Sequence, residues 1–335
     1  MIANRYGIPA VLLLCLVLAG CAGSGGKQAR RTMRAPKSPP PVPPRVDMPI
    51  PSSLVAQAKL ELNRLAAQST SPLIRAHAIE LMRETSPDDA PPHVLRGLED
   101  PEPVVRFAAA LAAGELRLDE AQDRLRQLAL EDPDSSVQIA ARFALHRLGD
   151  TRLSRDLERT ARSPDPRTRA DTAMVLGLLE EPSGLNILRV MRNDPDPAVR
   201  LQVAEAMWRL GEEGALEPLV AATLSLYPDD QMMAIAGLAA AGDRRVLGDL
   251  KGSLTTDYEA VNLVAARAMG RLGSDEGYGV ALRGVKSRDE KIRMLAALAL
   301  GAIGRSDSQD ELAILLRDAN PDVRLAVASA ILQLK

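Results

Sequence analysis

Residues 194–211 read DPDPAVRLQVAEAMWRLG, and the pattern of this stretch returns along most of the chain. An Asp-Pro turn precedes Val-Arg, an apolar run rich in Ala and Leu follows, and Leu-Gly closes the copy. Other clear copies are DPEPVVRFAAALAAGEL (100–116), SRDEKIRMLAALALGAIG (287–304) and NPDVRLAVASAILQL (320–334). Alignment on the Arg gives nine positions spaced 31 residues apart, with one step of 32: Arg75, Arg106, Gln138, Arg169, Arg200, Gln231, Asn262, Arg293 and Arg324. Nine copies in this register identify an internal repeat.

The repeat pattern predicts two helices per copy. A first helix such as Glu120–Leu130 ends at the Asp-Pro turn, because proline cannot continue an α-helix. A second helix such as Ser135–Leu148 ends at a glycine, which adopts the left-handed conformation without a Cβ clash. One such pair buries too little apolar surface to be stable alone. Stacked pairs bury a continuous core, so the pattern predicts an α-solenoid.

The composition agrees with a helical repeat protein. Of the 335 residues, 46% are hydrophobic and 26% charged, but only 2% are aromatic. A core built from Ala, Leu, Val, Ile and Met suits closely packed helices and argues against a β-sandwich. The net charge of −2 gives no indication of nucleic-acid binding. Two Cys and three His are too few for a disulfide framework or a Cys-rich zinc module.

The 31-residue copies resemble HEAT repeats, specifically the short variety named after phycobilisome lyases. The resemblance covers roughly residues 54–335. It implies an all-α fold, an α-solenoid of about nine two-helix HEAT-like repeats over residues 53–335. Proteins of this kind offer an extended surface for partners and carry no chemistry in the fold itself.

Two polar columns precede the Arg column. Six residues before it, every copy has Ser, Thr or Asp, and we assign this column to turn and cap hydrogen bonds. Four residues before it lie the acids Glu102, Asp134, Asp165, Asp196 and Asp289. In repeats of this type, Asp and Arg columns can form a ladder between neighbours, so we predict a structural role for these charges. Residues 225–262 depart from the pattern, which suggests a softer or bent stretch.

The N-terminus has the features of an export signal. Arg5 precedes the apolar run Ala10–Gly20, which is too short to span a bilayer but matches a signal-peptide core. The run leads into Leu18-Ala19-Gly20-Cys21, which resembles the lipobox of bacterial lipoproteins. The resemblance implies a signal peptide over residues 1–20 and an acylated Cys21 that anchors the chain in a membrane. Ala22 after the Cys, in place of Asp, favours the outer membrane.

Residues 21–52 are predicted to form a basic, proline-rich, disordered tether that begins with the lipidated Cys21. Residues 22–52 hold eight of the 24 prolines and carry a net charge of +5. The run Pro39–Pro44 favours an extended polyproline II conformation. Besides acting as a solvated spacer, this basic segment could contact anionic lipid or the cell wall, or present a Pro-x-x-Pro ligand.

A partner-binding patch is predicted from columns that vary in charge eight and nine residues after the Arg column. Since the stack does not dictate these positions, we expect them to face solvent on the second helices, which usually line the concave side. Trp and Arg are also enriched at interface hot spots. The predicted patch consists of His146, Arg147, Trp208, Arg209 and Arg271.

No catalytic or metal-binding motif accompanies the repeats. There is no G-x-S-x-G, no phosphate-binding loop and no repeated His-Glu pair of the kind found in iron-binding HEAT-repeat hydroxylases. We therefore predict no catalysis and no cofactor. The leading hypothesis is a lipid-anchored envelope scaffold that binds a protein partner, in the periplasm. The alternatives are a structural spacer with a wall-binding tether, and a lyase-like or enzyme-accessory protein.

Overall fold

A computed structural model describes residues 39–152, 156–240 and 242–334 of the chain. Within these ranges every regular secondary-structure element is a helix, so the all-α prediction is confirmed. Cys21, the predicted signal peptide 1–20 and residues 22–38 of the predicted tether lie outside the described residues. None of the helices found in the described part has the length and hydropathy to cross a membrane.

The described residues form nine pairs of α-helices, one pair for each sequence copy. The first helices are α1 Ser52–Gln68, α3 Pro91–Gly97, α5 Gln122–Glu131, α7 Asp156–Thr160, α9 Gly184–Met191, α11 Leu216–Ala222, α13 Leu247–Lys251, α15 Tyr278–Gly284 and α17 Gln309–Leu315. The second helices are α2 Pro72–Thr85, α4 Pro103–Leu116, α6 Ser135–Arg147, α8 Pro166–Leu179, α10 Pro197–Arg209, α12 Pro228–Ala240, α14 Glu259–Arg271, α16 Glu290–Ile303 and α18 Pro321–Gln333. Short 3-10 turns precede or follow several first helices.

The chain divides into two compact units. One consists of residues 59–219, in which the second helices α2, α4, α6, α8 and α10 pack side by side. The other consists of the described residues 39–58, 220–240 and 242–334, in which α12, α14, α16 and α18 pack in the same way. In each unit the core lies between these second helices and the first helices of the same repeats.

The turn before each second helix is fixed by the polar columns of the sequence. The residue six positions before the Arg column accepts a hydrogen bond from the backbone N–H two residues on, as Asp132 does from Asp134 at 2.9 Å. The residue four positions before the Arg column is the N-cap, and Asp134 accepts there from the N–H groups of Ser136 and Val137. Asp165, Asp196, Asp289 and Asn320 cap their helices in the same way. The column six residues before the Arg thus forms the turns, as predicted. The helix caps are formed by the column four residues before the Arg.

Left-handed residues end seven of the second helices, eleven positions after the Arg column. Five are the predicted glycines: Gly149, Gly211, Gly242, Gly273 and Gly304. In the other two, Arg117 and Glu180 adopt φ of 54° and 57° at the same position. The stack therefore imposes this conformation even where no glycine is present.

Small residues allow the second helices to approach closely. A Cβ on Gly114 would lie 2.6 Å from the Cα of Ala144 in the next repeat, and one on Gly301 would lie 2.7 Å from the Cα of Ala330. These glycines lie eight positions after the Arg column, and the alanines six positions after it. The low aromatic content of the chain follows from this contact, because bulky side chains do not fit it.

The described end of the predicted tether is in contact with the repeats. Residues 39–51 form no helix or strand, and several of their backbone groups bond to the C-terminal repeats of the same unit. Residues 41–48 are exposed, and the segment nevertheless bonds to the repeats through these backbone groups. A proline-rich chain has few N–H donors but many carbonyl acceptors, and here those carbonyls meet a buried cation.

Candidate interaction surface

The regular charges of the repeats form a ladder inside each unit. The Nε and Nη2 atoms of Arg169 donate to the two carboxylate oxygens of Asp194 in the next repeat, at 2.7 and 2.8 Å. Arg75–Asp100 and Arg106–Asp132 form the same pair in the first unit, and Arg293–Asp318 forms it in the second. The hydrogen bond from Arg169 lowers the pKa of Asp194. The predicted ladder is present, but its acids come from the column six residues before the Arg, not four.

Each ladder Arg also holds its own turn. The Nη1 of Arg169 donates to the carbonyls of Ser163 and Pro164 at 2.8 and 3.1 Å. Where the column has Gln, only the local bond remains, as from Gln138 to the carbonyl of Asp132. With both Nη groups and Nε engaged, these guanidinium groups serve the stack and are not offered to a ligand.

Two of the five residues of the predicted patch have buried side chains. Trp208 is only 4% exposed, and the side chain of Arg209 is 5% exposed. Arg209 donates to Oε1 of Glu205 one helical turn earlier, at 2.9 Å, and Gln202 donates to Oε2 of Glu205 at 2.7 Å. The expectation that these two columns face solvent is therefore wrong for Trp208 and Arg209. Pairing of an Arg with a buried acid on its own helix holds the side chain inside the unit.

The other residues of the predicted patch are only half-buried. The Nε2 of His146 lies 2.7 Å from Oε1 of Glu181, and the ring thus faces an acid of the following repeat. Arg147 is half-buried in the same unit. Arg271 is also half-buried, but it belongs to the second unit, whereas the other four belong to the first.

Charges of opposite sign meet between neighbouring repeats beside Arg147 of the predicted patch. Arg83 donates to the carboxylate of Glu115 in the next repeat, and the field of Arg147 also acts on that carboxylate. Burial nevertheless raises the pKa of Glu115, because the cost of desolvation exceeds these attractions. Arg83 and Glu115 lie eight and nine positions after the Arg column, so opposite charges in these two adjacent columns are a sequence signal for pairing between repeats.

An exposed apolar edge lies where the sequence departs from its own pattern. Leu224, Leu226, Tyr227 and Tyr258, which we call the tyrosine edge, are 39 to 78% exposed. Tyr227 and Tyr258 occupy the N-cap position of two successive second helices, α12 and α14, where other repeats have Asp, Ser, Asn or Glu. Clustered exposed apolar side chains of this size mark interaction sites on soluble proteins.

The tyrosine edge is not needed to form its turns. Ser225 Oγ accepts from the N–H of Tyr227 at 3.1 Å, and Thr256 Oγ1 accepts from the N–H of Tyr258 at 3.2 Å. The turn bonds of the other repeats are therefore kept, while the Tyr258 side chain makes no capping bond. The sequence pattern identified residues 225–262, which include both tyrosines, as a departure from the repeat. It did not predict that the tyrosines are exposed, because the exposure of a turn residue depends on its neighbours.

In residues 39–152, 156–240 and 242–334, no group of three or more His, Cys, Asp or Glu side chains is placed to hold a metal ion. The three histidines lie in different repeats, and His93 pairs with Asn63 and Arg96 rather than with other potential ligands.

Comparison with known families identifies the repeat. A family model described as HEAT repeats matches residues 61–146 and 155–239, which together are more than half of the chain. The chain belongs to the HEAT-repeat family. The HEAT repeats of this chain thus include the first unit and the beginning of the second, and the periodicity carries the same architecture to residue 334.

Solved structures with similar repeats include the complex of CpcE and CpcF of phycocyanin lyase from Nostoc sp. PCC7120. That similarity has 20% identity, covers 74% of this chain and 97% of the other, and has a TM-score of 0.43. Human deoxyhypusine hydroxylase in complex with glycerol is similar at 17% identity, with 83% and 96% of the two chains covered and a TM-score of 0.37. No similar sequence was found among curated proteins.

Proposed function

We propose that this HEAT-repeat chain is a non-catalytic scaffold of the bacterial cell envelope that binds a protein partner through its tyrosine edge. HEAT repeats in general provide surfaces for protein partners. The observation that supports this site is the exposure of Leu224, Leu226 and Tyr227 beside one turn, with Tyr258 exposed at the equivalent turn of the next repeat, whose second helix packs against α12. Tyrosine is enriched at interfaces because it contributes a large apolar ring and a polar tip.

The loss of capping supports a role in binding. Replacement of a good N-cap by a residue that cannot cap a helix costs about 0.5–2 kcal/mol. Two successive repeats carry Tyr at this position, and the gain is an exposed aromatic ring in each. Positions where a chain departs from its own stabilising pattern are characteristic of functional sites.

The proposed location in the cell envelope is supported by the N-terminal sequence. The lipobox-like Leu18–Cys21, preceded by its apolar run, supports acylation at Cys21 and anchorage in the outer membrane, facing the periplasm. His146, Arg147 and Arg271 are half-buried, and we retain them as proposed secondary contacts. Trp208 and Arg209 are assigned to the core instead.

The test is crosslinking in cells with the full-length chain, followed by mass spectrometry. The informative variant is Tyr227→Asp/Tyr258→Asp, because Asp is the residue that caps the other second helices. We expect partner crosslinks to be lost while the thermal unfolding midpoint is maintained or raised. The matched control is Ile314→Asp, which changes an isolated, exposed apolar side chain of the same unit.

The result separates binding from folding. Loss of crosslinks in the tyrosine variant but not in Ile314→Asp supports the edge as the binding site. A partner that stays crosslinked to the tyrosine variant overturns the edge. Crosslinks confined to residues 22–52 would favour the spacer with a wall-binding tether, and a small molecule in the native mass of the purified protein would favour the lyase-like alternative.

A further inference from the structure

The proline-rich segment of residues 39–48 is bound by one buried cation of the C-terminal repeats. Arg305 is 0% exposed, and its Nη1 and Nη2 donate to the carbonyls of Pro43 and Pro44 at 3.0 and 2.8 Å. These residues are about 260 positions apart in sequence but belong to the same unit. The two carbonyls therefore supply part of the shell that a buried guanidinium requires.

The guanidinium of Arg305 is held in place by the ring of Tyr278 and the carboxylate of Asp307. Its central carbon lies 3.9 Å from the centre of the Tyr278 ring, in a cation–π arrangement. Oδ1 and Oδ2 of Asp307 accept from its Nε and Nη2 at 3.0 and 2.6 Å. The Tyr278 hydroxyl donates to the same carboxylate at 3.1 Å. The arginine fork is thus fixed by residues of the repeats, with two N–H groups directed at the segment.

The two ends of the bound segment make further contacts. The N–H of Val46 donates to Oδ2 of Asp307 at 3.2 Å, and the N–H of Met48 donates to Oγ of Ser306 at 3.0 Å. At the other end the segment passes directly over a glycine. A Cβ on Gly279 would lie 2.9 Å from the carbonyl oxygen of Pro41 and 3.1 Å from atoms of Pro40. The site therefore combines N–H donors for the carbonyls of the segment, oxygen acceptors for its N–H groups, and an open path for its backbone.

These features are those of proline-rich peptide recognition. A proline run is stiff and extended before binding, so little conformational entropy is lost when it docks. Its carbonyls have no neighbouring N–H groups with which to pair, so they can accept from the Arg305 guanidinium, which the Tyr278 ring supports. We propose that Tyr278, Gly279, Arg305, Ser306 and Asp307 form a binding site for an extended proline-rich segment. In this chain the site holds residues 39–48.

The site gives the chain an attachment between its N-terminal segment and its last two repeats. Repeat arrays otherwise make contacts only between neighbouring repeats, and their terminal repeats are the least supported. The bound segment adds a long-range contact to these terminal repeats. A proline-rich segment of another protein, or of a second copy, would compete for the same Arg305 donors.

The first test measures hydrogen exchange at the Val46 and Met48 amides in the full-length chain. Two native hydrogen bonds should slow exchange at these amides by at least about tenfold relative to an unbound segment. Gly279→Leu should release the segment and remove this protection, because its side chain occupies the path of Pro40 and Pro41. The control is Gly248→Leu, at an exposed glycine of the same unit with no atom within 4 Å of an added Cβ.

A second variant changes only the segment. Met48→Pro removes the N–H that reaches Ser306, and cleavage by trypsin after Arg45 should become faster. Val42→Pro is its control, because this change lengthens the run of prolines and removes no hydrogen bond to the repeats. Since neither change alters the repeats, increased cleavage reports release and not unfolding. Unprotected amides in the unchanged chain, or equal exchange in Gly279→Leu and Gly248→Leu, would overturn the proposal.

The source of the segment is decided by a third measurement. A synthetic peptide of residues 38–51 is added to the Met48→Pro chain, and binding is followed by fluorescence anisotropy of a labelled peptide. Binding that is lost with Gly279→Leu supports a general proline-rich site. Native mass spectrometry then distinguishes a segment bound within one chain from exchange with a second copy. Failure of peptide binding at millimolar concentration would overturn recognition of segments from elsewhere.

Discussion

Arg106 joins two successive repeats through Asp132. Its Nε and Nη2 donate to the two carboxylate oxygens at 2.7 and 2.9 Å, and its Nη1 donates to the carbonyls of Asp100 and Pro101 in its own turn. Both side chains are almost completely buried. One side chain therefore fixes the geometry of a turn and the spacing between two repeats.

Arg106→Gln should lower the stability of the first unit by about 3 kcal/mol, because it leaves the buried carboxylate of Asp132 without its cation. Gln still reaches the local carbonyl, as Gln138 does. The double variant Arg106→Gln/Asp132→Ser should recover most of the loss. The measurement is the urea unfolding midpoint by circular dichroism.

Arg200→Gln is the control for that prediction, because the following repeat carries Ser225 in place of Asp. The Nη1 of Arg200 donates to the carbonyls of Asp194 and Pro195, and we expect a loss below about 1 kcal/mol. Equal losses in Arg106→Gln and Arg200→Gln would show that the carboxylate pair adds nothing to the turn bonds.

Gly114→Ala and Gly248→Ala should have opposite effects. Alanine at position 114 would bring its Cβ 2.6 Å from the Cα of Ala144, so the second helices must separate, and we expect a loss of about 1–3 kcal/mol. Position 248 is helical and open, and Ala there should stabilise the chain by up to about 1 kcal/mol. Thermal unfolding of both variants decides this. A gain in stability for Gly114→Ala would contradict the close approach.

Asp171→Asn should stabilise the chain at neutral pH but not at pH 4. Burial raises the pKa of Asp171 from its ordinary value of 3.8 to about 6. The folded state thus binds this proton more tightly, so its contribution is greatest at low pH and is lost as the pH rises from about 4 to about 6. Asn keeps an oxygen that can accept from the Ser136 hydroxyl.

The difference in unfolding free energy between Asp171→Asn and the unchanged chain should grow from near zero at pH 4 to at most about 3 kcal/mol at pH 7. Other carboxyls with lowered pKa, such as Asp194, titrate in both proteins and cancel in this difference. A difference that does not vary between pH 4 and pH 7 would contradict a raised pKa.

Trp208→Ala should act through stability. The side chain is buried, and its removal leaves a cavity that costs about 3–5 kcal/mol. Trp208→Phe fills most of the volume and should cost less. Chemical unfolding measures both variants, and partner crosslinking should follow the folded fraction. A Trp208→Ala chain with full stability and no partner binding would restore this residue to the binding surface.

Glu180→Gly should raise stability by about 0.5–1 kcal/mol, because Glu180 adopts a φ of 57° that glycine reaches without strain. Gly211→Ala, at the corresponding position of the next repeat with a φ of 83°, should lower it by a similar amount. The comparison of their thermal midpoints tests whether the left-handed ending is imposed by the stack. No gain for Glu180→Gly would indicate that the chain relaxes at this turn.

The sequence by itself determined the repeat and its local structure. The period, the two helices per copy, the Asp-Pro turns and the glycine endings all follow from residues within a few positions of one another. Cap and turn chemistry is local, so a residue such as Asp134 or Gly149 specifies its conformation from its own surroundings. The apolar periodicity then requires stacking.

Only the tertiary structure decided which polar and aromatic residues face inward. The acid that pairs with Arg106 lies 26 residues away in the sequence. Trp208 is buried in its unit, whereas Tyr227 is exposed at its turn. The contact between Pro43 and Arg305 spans 262 positions. Pairings over such distances depend on how whole repeats are placed, and no local preference of the chain encodes that placement.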